Sequence, residues 1–336
     1  MNSYFVITMA VQPSKDWKEI IPLNEEELLK RLATQLSMLQ RVMNKTYGKG
    51  RLLHRKQLAA CKGTLKISSK VSEYAKFGLF ATPAEYQVLA RLSNGGPEIK
   101  ADRKPDIRGF ALKVLGVEGP GAFGEDIDNM DLLFINHDTF SHSTAIPFIE
   151  MLLSFSQGPF SLLKYSLDNF GLLGSVSMGW KLFQSMTRPF TGFTSEPFYT
   201  AAPVQCGPYA IKLRLLPYEK PGQAKSSNWG DEFVAALKTR DLCYDLQVQF
   251  FVDEEQTPLE DAAVQWSPES SFETVGKLIL PAQDLTDESN ESLFDETESL
   301  KFDPWNTLLE HKPLGSIMRA RKVVYFNSQK LRKAKS

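Results

Sequence analysis

The sequence is poor in the residues from which disulfide frameworks and metal centres are commonly built. Its 336 residues include three cysteines and four histidines. The cysteines, Cys61, Cys206 and Cys243, are far apart and form no Cys-x-x-Cys pair, which argues against a disulfide framework or a cysteine zinc site. An odd number of scattered cysteines is typical of a protein from a reducing compartment.

Long apolar runs and an excess of one charge are also missing. No stretch reaches the roughly 18–20 uninterrupted apolar residues that a membrane-spanning helix needs. With 39 basic and 40 acidic residues the formal net charge is -1, so neither nucleic acid nor an anionic membrane is expected as a main partner. The first residues lack the features of a secretory signal, and the last three are not a peroxisomal address. We therefore expect a cytoplasmic protein.

The periodicity of apolar residues predicts helices before, between and after a set of strands. An amphipathic helix is predicted from Asn24 to Tyr47, within an N-terminal arm over residues 1–47. Residues 146–186 are apolar but interrupted by glycines, which indicates an inserted helical segment, and a last helix is predicted over 313–332. Alternating patterns predict strands at GTLKI, FALKVL, DLLFI, AIKLRLL, YDLQVQFFV and GKLILP. The pattern is typical of a single α+β domain over residues 1–336, with an acidic loop at Asp284–Glu298.

Four segments resemble the haem-binding core of catalases in order, spacing and content. They are Arg51–His54, Val88–Asn94 followed by Asp106–Lys113, Asp128–Phe140, and Arg321–Tyr325 with Arg332 seven residues later. Residues 257–268 and 302–321 are similar to smaller catalase-related haem proteins, and the resemblance extends over residues 45–333. It implies an antiparallel β-barrel of about eight strands with flanking helices and a minimal core that lacks the wrapping segment of large catalases.

The resemblance also implies a cofactor, haem b, bound between the barrel and the C-terminal helix. Tyr325 matches the axial ligand of the haem iron, and a phenol with a pKa of about 10 must ionise to bind ferric iron well. On one helix Arg321, four residues before Tyr325, and Arg332, two turns after it, share its face. Arg51, Arg91 and Arg332 match arginines that bind the haem propionates. Taken alone, this segment is more typical of a basic surface helix with an incidental tyrosine.

The catalytic residues that the resemblance implies are His54, Ser93 and Asn129. A neutral imidazole with a pKa near 6.5 can take a proton from one peroxide oxygen and return it to the other, and Ser93 matches the serine that hydrogen-bonds this histidine. Asn129 is predicted to be the distal amide that orients peroxide, with Asp128 as the alternative. Phe140 resembles the aromatic residue that packs over the distal face of the haem.

The resemblance implies an enzyme that acts on hydrogen peroxide or on an organic or lipid hydroperoxide, with a small organic reductant. The wider channel expected of a minimal core favours bulkier reductants or organic peroxides. One alternative is the rearrangement of fatty-acid hydroperoxides, as in allene oxide synthases, although those relatives place threonine where this chain has Leu53. The other alternative is a haem-binding protein without catalysis. A homodimer is left open.

Overall fold

The computed structural model of the protein describes residues 11–220 and 228–335. The first ten residues of the predicted N-terminal arm, residues 221–227 and Ser336 lie outside the described residues.

The described chain contains the predicted helices and strands in the predicted order, together with further elements that the periodicity does not predict. The elements are α1 Glu25–Tyr47, β1 Gln57–Ile67, β2 Glu85–Asn94, β3 Arg108–Pro120, β4 Asp126–Ile135, α2 Ala145–Ser156, α3 Pro159–Thr187, β5 Phe198–Tyr199, β6 Val204–Cys206, β7 Tyr209–Pro217, α4 Trp229–Thr239, β8 Leu242–Phe250, β9 Glu273–Leu280, α5 Glu288–Ser299 and α6 Gly315–Arg332. Each predicted strand lies in one of these strands apart from end residues.

The strands close into an antiparallel barrel. Eight of them follow one another around the ring in the order β1-β2-β3-β4-β5-β7-β8-β9, and β9 pairs again with β1. The two-residue strand β5 completes the ring, because Tyr199 pairs with Ile135 of β4 and Phe198 pairs with Leu215 of β7. β6 adds to β7 outside the ring. The predicted α+β class and barrel of about eight strands are confirmed.

The two faces of each strand pack against different surroundings. Phe110, Leu112 and Val114 of β3 point into the barrel and have 0% exposure, and each such side chain contributes about 1.5–3 kcal/mol by leaving water. The opposite face of β3 is also covered, since Lys113 is buried and lies 2.7 Å from Asp131 of β4. The outer face of β1–β4 is therefore a second packing surface.

Helices α1, α2 and α6 cover part of that outer face. Their shared cluster contains Leu29, Leu32 and Leu36 of α1, Ile149 of α2, and Ile317 and Met318 of α6. α1 forms as its leucine spacing predicts. The helical segment 146–186 is present as α2 and α3, and Gly171 interrupts α3 with a φ of 64°, a value that glycine adopts without steric strain.

The acidic segment Asp284–Glu298 is a helix over most of its length, and its prediction as a loop was wrong. Leu293, Thr297 and Leu300 recur at helical spacing and are buried, and Gln57 of β1 donates a hydrogen bond to Thr297 Oγ1. Packing against the barrel thus stabilises a helix whose acidic composition had indicated a solvated loop. Within the described chain, no helix combines the length and hydrophobicity required to cross a bilayer.

Arg319 fixes α6 to two other parts of the chain. Its guanidinium forms ion pairs with Glu19, Glu25 and Glu260 at N–O distances of 2.6, 2.6 and 2.9 Å. The Arg319 side chain is 13% exposed, so these charges are mostly shielded from water. The position of α6 against α1 depends on this network.

We expect Arg319→Met to lower the free energy of unfolding by about 3 kcal/mol, because three carboxylates lose their shared cation in a partly buried setting. Urea unfolding at neutral pH measures the change. Lys30→Met is the control, since Lys30 and Glu26 form an exposed pair on α1 and exposed pairs contribute about 0–1 kcal/mol. Equal, small losses in both variants would contradict the anchoring role of Arg319.

Candidate functional site

A large cavity lies between the outer face of the barrel and the helices. Its volume is about 1570 Å³, above the roughly 300–1,000 Å³ of most ligand pockets. Strands β2, β3 and β4 form one wall, and α1, α2 and α6 form the others. The predicted site residues that line it are Arg51, His54, Arg91, Ser93, Phe140, Arg321, Tyr325 and Arg332. The structure thus brings together eight of the nine predicted residues.

Tyr325 lies in the cavity wall with Arg321 beside it. Arg321 Nη2 donates a hydrogen bond to the Tyr325 hydroxyl at 3.0 Å, and the guanidinium lies 5.1 Å from the centroid of the tyrosine ring. This is the contact that the four-residue spacing predicts. Tyr325 is the only tyrosine among the described residues of the cavity wall, so it is the one phenol there that can bind a metal held inside.

The second half of α6 is poorly packed for a helix in this position. The fully buried residues of α6 all lie between Gly315 and Ala320, whereas residues 321–332 are half-buried or exposed. The cavity separates this half of the helix from the barrel. A ligand in the cavity would bury the face that carries Tyr325.

His54 is held at the cavity wall in an unusual backbone conformation. Its φ is 52°, a left-handed value that for most non-glycine residues costs roughly 1–3 kcal/mol. The His54 N–H donates to the Gly95 carbonyl at 2.8 Å, and Arg91 donates to the His54 carbonyl at 2.8 Å. Strain held by neighbouring contacts in this way is common at functional sites.

The His54 ring is fixed from two sides. Its Nδ1 lies 3.0 Å from Ser93 Oγ, which is the predicted contact. A Cβ atom at Gly109 of β3 would lie 2.4 Å from the same nitrogen, so the ring needs a glycine at this point of the strand. Burial, followed by the charges of Arg91, Arg321 and Arg51, lowers the pKa of His54 to about 3. The imidazole is therefore neutral at physiological pH and able to accept a proton.

Three arginines meet at one end of the cavity, around Glu298 of α5. Glu298 Oε1 lies 2.6 Å from Arg51 Nη1, and Oε2 lies 2.8 Å from Arg91 Nη2. Arg332 Nη1 donates to the Glu298 carbonyl at 3.0 Å. Burial lowers the pKa of Arg332 to about 10, which still leaves it charged at neutral pH. Three cations share one carboxylate, so the cluster has an excess of two positive charges.

Glu298 is not among the predicted site residues, since it lies in the acidic segment that was predicted as a loop. The signal that points to it is the spacing of Leu293, Thr297 and Leu300, which predicts a helix and places residue 298 near its end. His137 and His142 also line the cavity without having been predicted, and burial lowers the pKa of both.

The structure does not bring Asn129 to the cavity. Its Oδ1 accepts hydrogen bonds from Lys113 Nζ at 3.0 Å and from Asn306 Nδ2 at 2.8 Å. The alternative, Asp128, does not line the cavity either. Both lie too near the start of β4, because the first residue of this outer face to line the cavity is Leu133, which pairs with Ala111. The β4 position that faces the cavity thus carries an aliphatic side chain instead of an amide.

One part of the cavity wall, called the apolar extension below, consists of apolar side chains from α2 and α3. Phe148, Met151, Leu152 and Phe155 of α2 and Phe170 of α3 line it. Phe140 joins this part, with its ring centroid 5.8 Å from that of Phe148 in an edge-to-face contact. The site thus combines a phenol, a neutral imidazole and a cationic end with an apolar extension.

We expect His54→Asn to remove one protonation step from the pH dependence of folding. With a folded pKa of about 3 against 6.5 for a free histidine, the unfolded chain binds a proton that the folded chain does not between these pH values. The contribution of neutral His54 to the free energy of unfolding is therefore fully present above pH 6.5. As the pH falls from 6.5 towards 3, this contribution decreases by about 1.4 kcal/mol per pH unit.

Urea unfolding from pH 4 to 7 measures this slope in the wild type and the variant. Asparagine is the replacement because it tolerates positive φ well. His311, whose pKa burial lowers to about 4, is unchanged in both proteins and serves as the internal control. Identical slopes in the two proteins would show that His54 is not a buried neutral group.

The fold is that of known catalases. A bacterial catalase gives a TM-score of 0.65 at 18% identity, over 95% of this chain and 64% of that one. A fungal catalase gives 0.66 at 16% identity, over 96% and 65%, and catalase A from Saccharomyces cerevisiae gives 0.65 at 15% identity, over 98% and 69%. The chain spans about two thirds of the length of these catalases. No protein-family model matches the sequence. At this level of identity the similarity establishes the fold alone: the chain has the catalase fold.

Proposed function

We propose that this protein binds haem b and is an oxidoreductase that acts on a peroxide. The observation that carries the proposal is that Tyr325, paired with Arg321, and a neutral His54 line one cavity. Tyrosine is the protein ligand of the haem iron in catalase, and a neutral imidazole can transfer the proton that the cleavage of a peroxide requires. The catalase fold agrees with the proposal without proving it.

The residues of the cavity fit haem b in three respects. Tyr325 would hold the haem iron through its phenol oxygen, with Arg321 as its cationic partner. The two positive charges left over in the cluster of Arg51, Arg91 and Arg332 equal the charge of two propionates. The half-buried face of α6 and the apolar wall at Ala111 and Leu133 would cover the flat faces of the macrocycle.

The bound haem would supply the redox chemistry that splits the peroxide O–O bond. The protein would supply the proton transfer and the orientation. Because Ser93 engages Nδ1 of His54, Nε2 is the nitrogen left to take a proton from one peroxide oxygen and return it to the other. With a pKa near 3, His54 would remain unprotonated over the whole neutral range, which is the form that accepts a proton.

The shape of the cavity favours an organic hydroperoxide over hydrogen peroxide as the substrate. Hydrogen peroxide is small and polar and has no apolar part that could pack against the apolar extension along α2. Leu133 contributes no donor to orient a small peroxide. A small organic reductant would then complete the cycle as the second substrate.

The apolar extension also supports a second candidate, the rearrangement of a fatty-acid hydroperoxide. Leu53, directly before the base, lines the cavity at the position where allene oxide synthases have threonine, and this difference favours the first candidate. The two candidates differ in their products, because rearrangement needs no reductant and oxidises no external donor. Incubation with a lipid hydroperoxide, with and without a phenolic dye, separates them.

We also propose a cytoplasmic location, which the three free cysteines support.

We expect Tyr325→Phe to weaken hemin binding at least tenfold, which corresponds to about 1.4 kcal/mol, because the iron loses its anionic ligand. A titration followed by the haem absorption band measures the affinity. Tyr218→Phe is the matched control, since Tyr218 is exposed and bonded to Asp245 outside the cavity. The proposal fails if the wild-type protein does not bind hemin, or if both variants bind it as the wild type does.

We expect His54→Ala to keep hemin binding and to slow the reaction with cumene hydroperoxide by about 100-fold or more, since general acid–base groups contribute roughly 10²–10⁴-fold. Stopped-flow absorption of the hemin-loaded protein measures the rate. Ser93→Ala should give a smaller loss, because the base remains but is less well oriented. Near-normal rates in His54→Ala would exclude its role as the base.

A further inference from the structure

We propose that Glu298 is a built-in counter-ion of the propionate site, which holds the three arginines in place before haem arrives and thereby limits the affinity for haem. The inference rests on the proposed function. It concerns a residue outside the four segments that resemble catalases, and it assigns to α5 a part in cofactor binding.

The contacts of residue 298 connect three separate parts of the chain. Its carboxylate binds Arg51, which precedes β1, and Arg91 of β2. Its carbonyl accepts hydrogen bonds from Arg51 at 2.9 Å and from Arg332 of α6 at 3.0 Å. Glu298 therefore occupies the centre of the cluster, where an anion has the most favourable interaction with all three guanidiniums.

The arginines need such an anion because they are close to one another and shielded from water. The Arg51 and Arg91 side chains are 11% and 3% exposed. Burial and then the charges of Arg91 and Arg332 lower the pKa of Arg51, while Glu298 opposes this shift. Unpaired buried charges are strongly destabilising, so in haem-free protein Glu298 offsets part of the repulsion.

Glu298 is more exposed than Arg51 and Arg91. This suits a carboxylate that would share the arginines with the haem propionates. Its side chain is 33% exposed, so at the centre of the cluster it keeps a contact with water that Arg51 and Arg91 mostly lack. Two propionates entering the cluster would meet a carboxylate that already binds Arg51 and Arg91. The repulsion between these anions lowers the affinity for haem relative to a cluster with a neutral residue at position 298.

The proposal predicts opposite changes in the two forms of the protein. Glu298→Gln keeps the shape and an acceptor oxygen but removes the charge, so the excess in the cluster rises from two positive charges to three. We expect hemin to bind about tenfold more tightly, while the haem-free protein unfolds at a temperature several degrees lower. Hemin titration and thermal unfolding of haem-free protein measure the two effects.

Three controls make the test specific. Glu296→Gln makes the same change at an exposed position of α5 and should alter neither quantity. Hemin dimethyl ester has no carboxylates, so its binding should not improve in Glu298→Gln. Arg51→Gln should weaken hemin binding, and the double variant Arg51→Gln, Glu298→Gln should return to near wild-type affinity because its excess is again two charges.

The outcomes separate this proposal from the proposed function. If wild-type protein and Glu298→Gln both fail to bind hemin, the proposed function falls and this inference with it. If the wild type binds hemin and Glu298→Gln binds it equally or less tightly, the role of Glu298 alone is wrong. An equal gain with the dimethyl ester also overturns it. Should Glu298→Gln fail to fold, the comparison of the double variant with Arg51→Gln gives the same answer.

Discussion

The site depends on three shielded guanidiniums that have a single carboxylate among them. Bringing like charges together away from water is unfavourable, and it persists in a protein only where anions compensate for it. Arg51, Arg91 and Arg332 come from three distant parts of the sequence. The fold brings their three positive charges together around one carboxylate. Each neighbouring group is affected: His54 stays neutral beside this cluster, and the cavity has a cationic end that would suit a ligand with carboxylates.

The barrel can carry such a site because each of its strands has two independent faces. The inner face of β3 holds Phe110 and its apolar neighbours, which stabilise the ring of strands. The outer face of the same strand presents Gly109 to His54 and Ala111 to the cavity. Since the apolar interior supplies the stability, the outer face is free to hold strained, charged and incompletely packed groups. The positive φ of His54 is one of these.

The sequence determines the fold and part of the site through local patterns. Alternation predicts the strands, leucine spacing predicts α1, and a separation of four residues predicts the contact between Arg321 and Tyr325. Asn129 lies outside the cavity lining, and the sequence could not indicate this, because alternation gives the face of a strand but not the point along it where a cavity begins. Glu298 was missed because its partner Arg91 lies 207 residues away, and only the closed barrel brings the two together.

The loosely packed half of α6 would make the survival of the polypeptide in the cell depend on the proposed cofactor. The residues of α6 that would contact haem are only half-buried or exposed without it. The porphyrin would therefore complete their packing. Newly made chains without it would keep the end of this helix accessible to proteases. Cellular quality control would then remove them, and the amount of protein that accumulates would follow the supply of porphyrin.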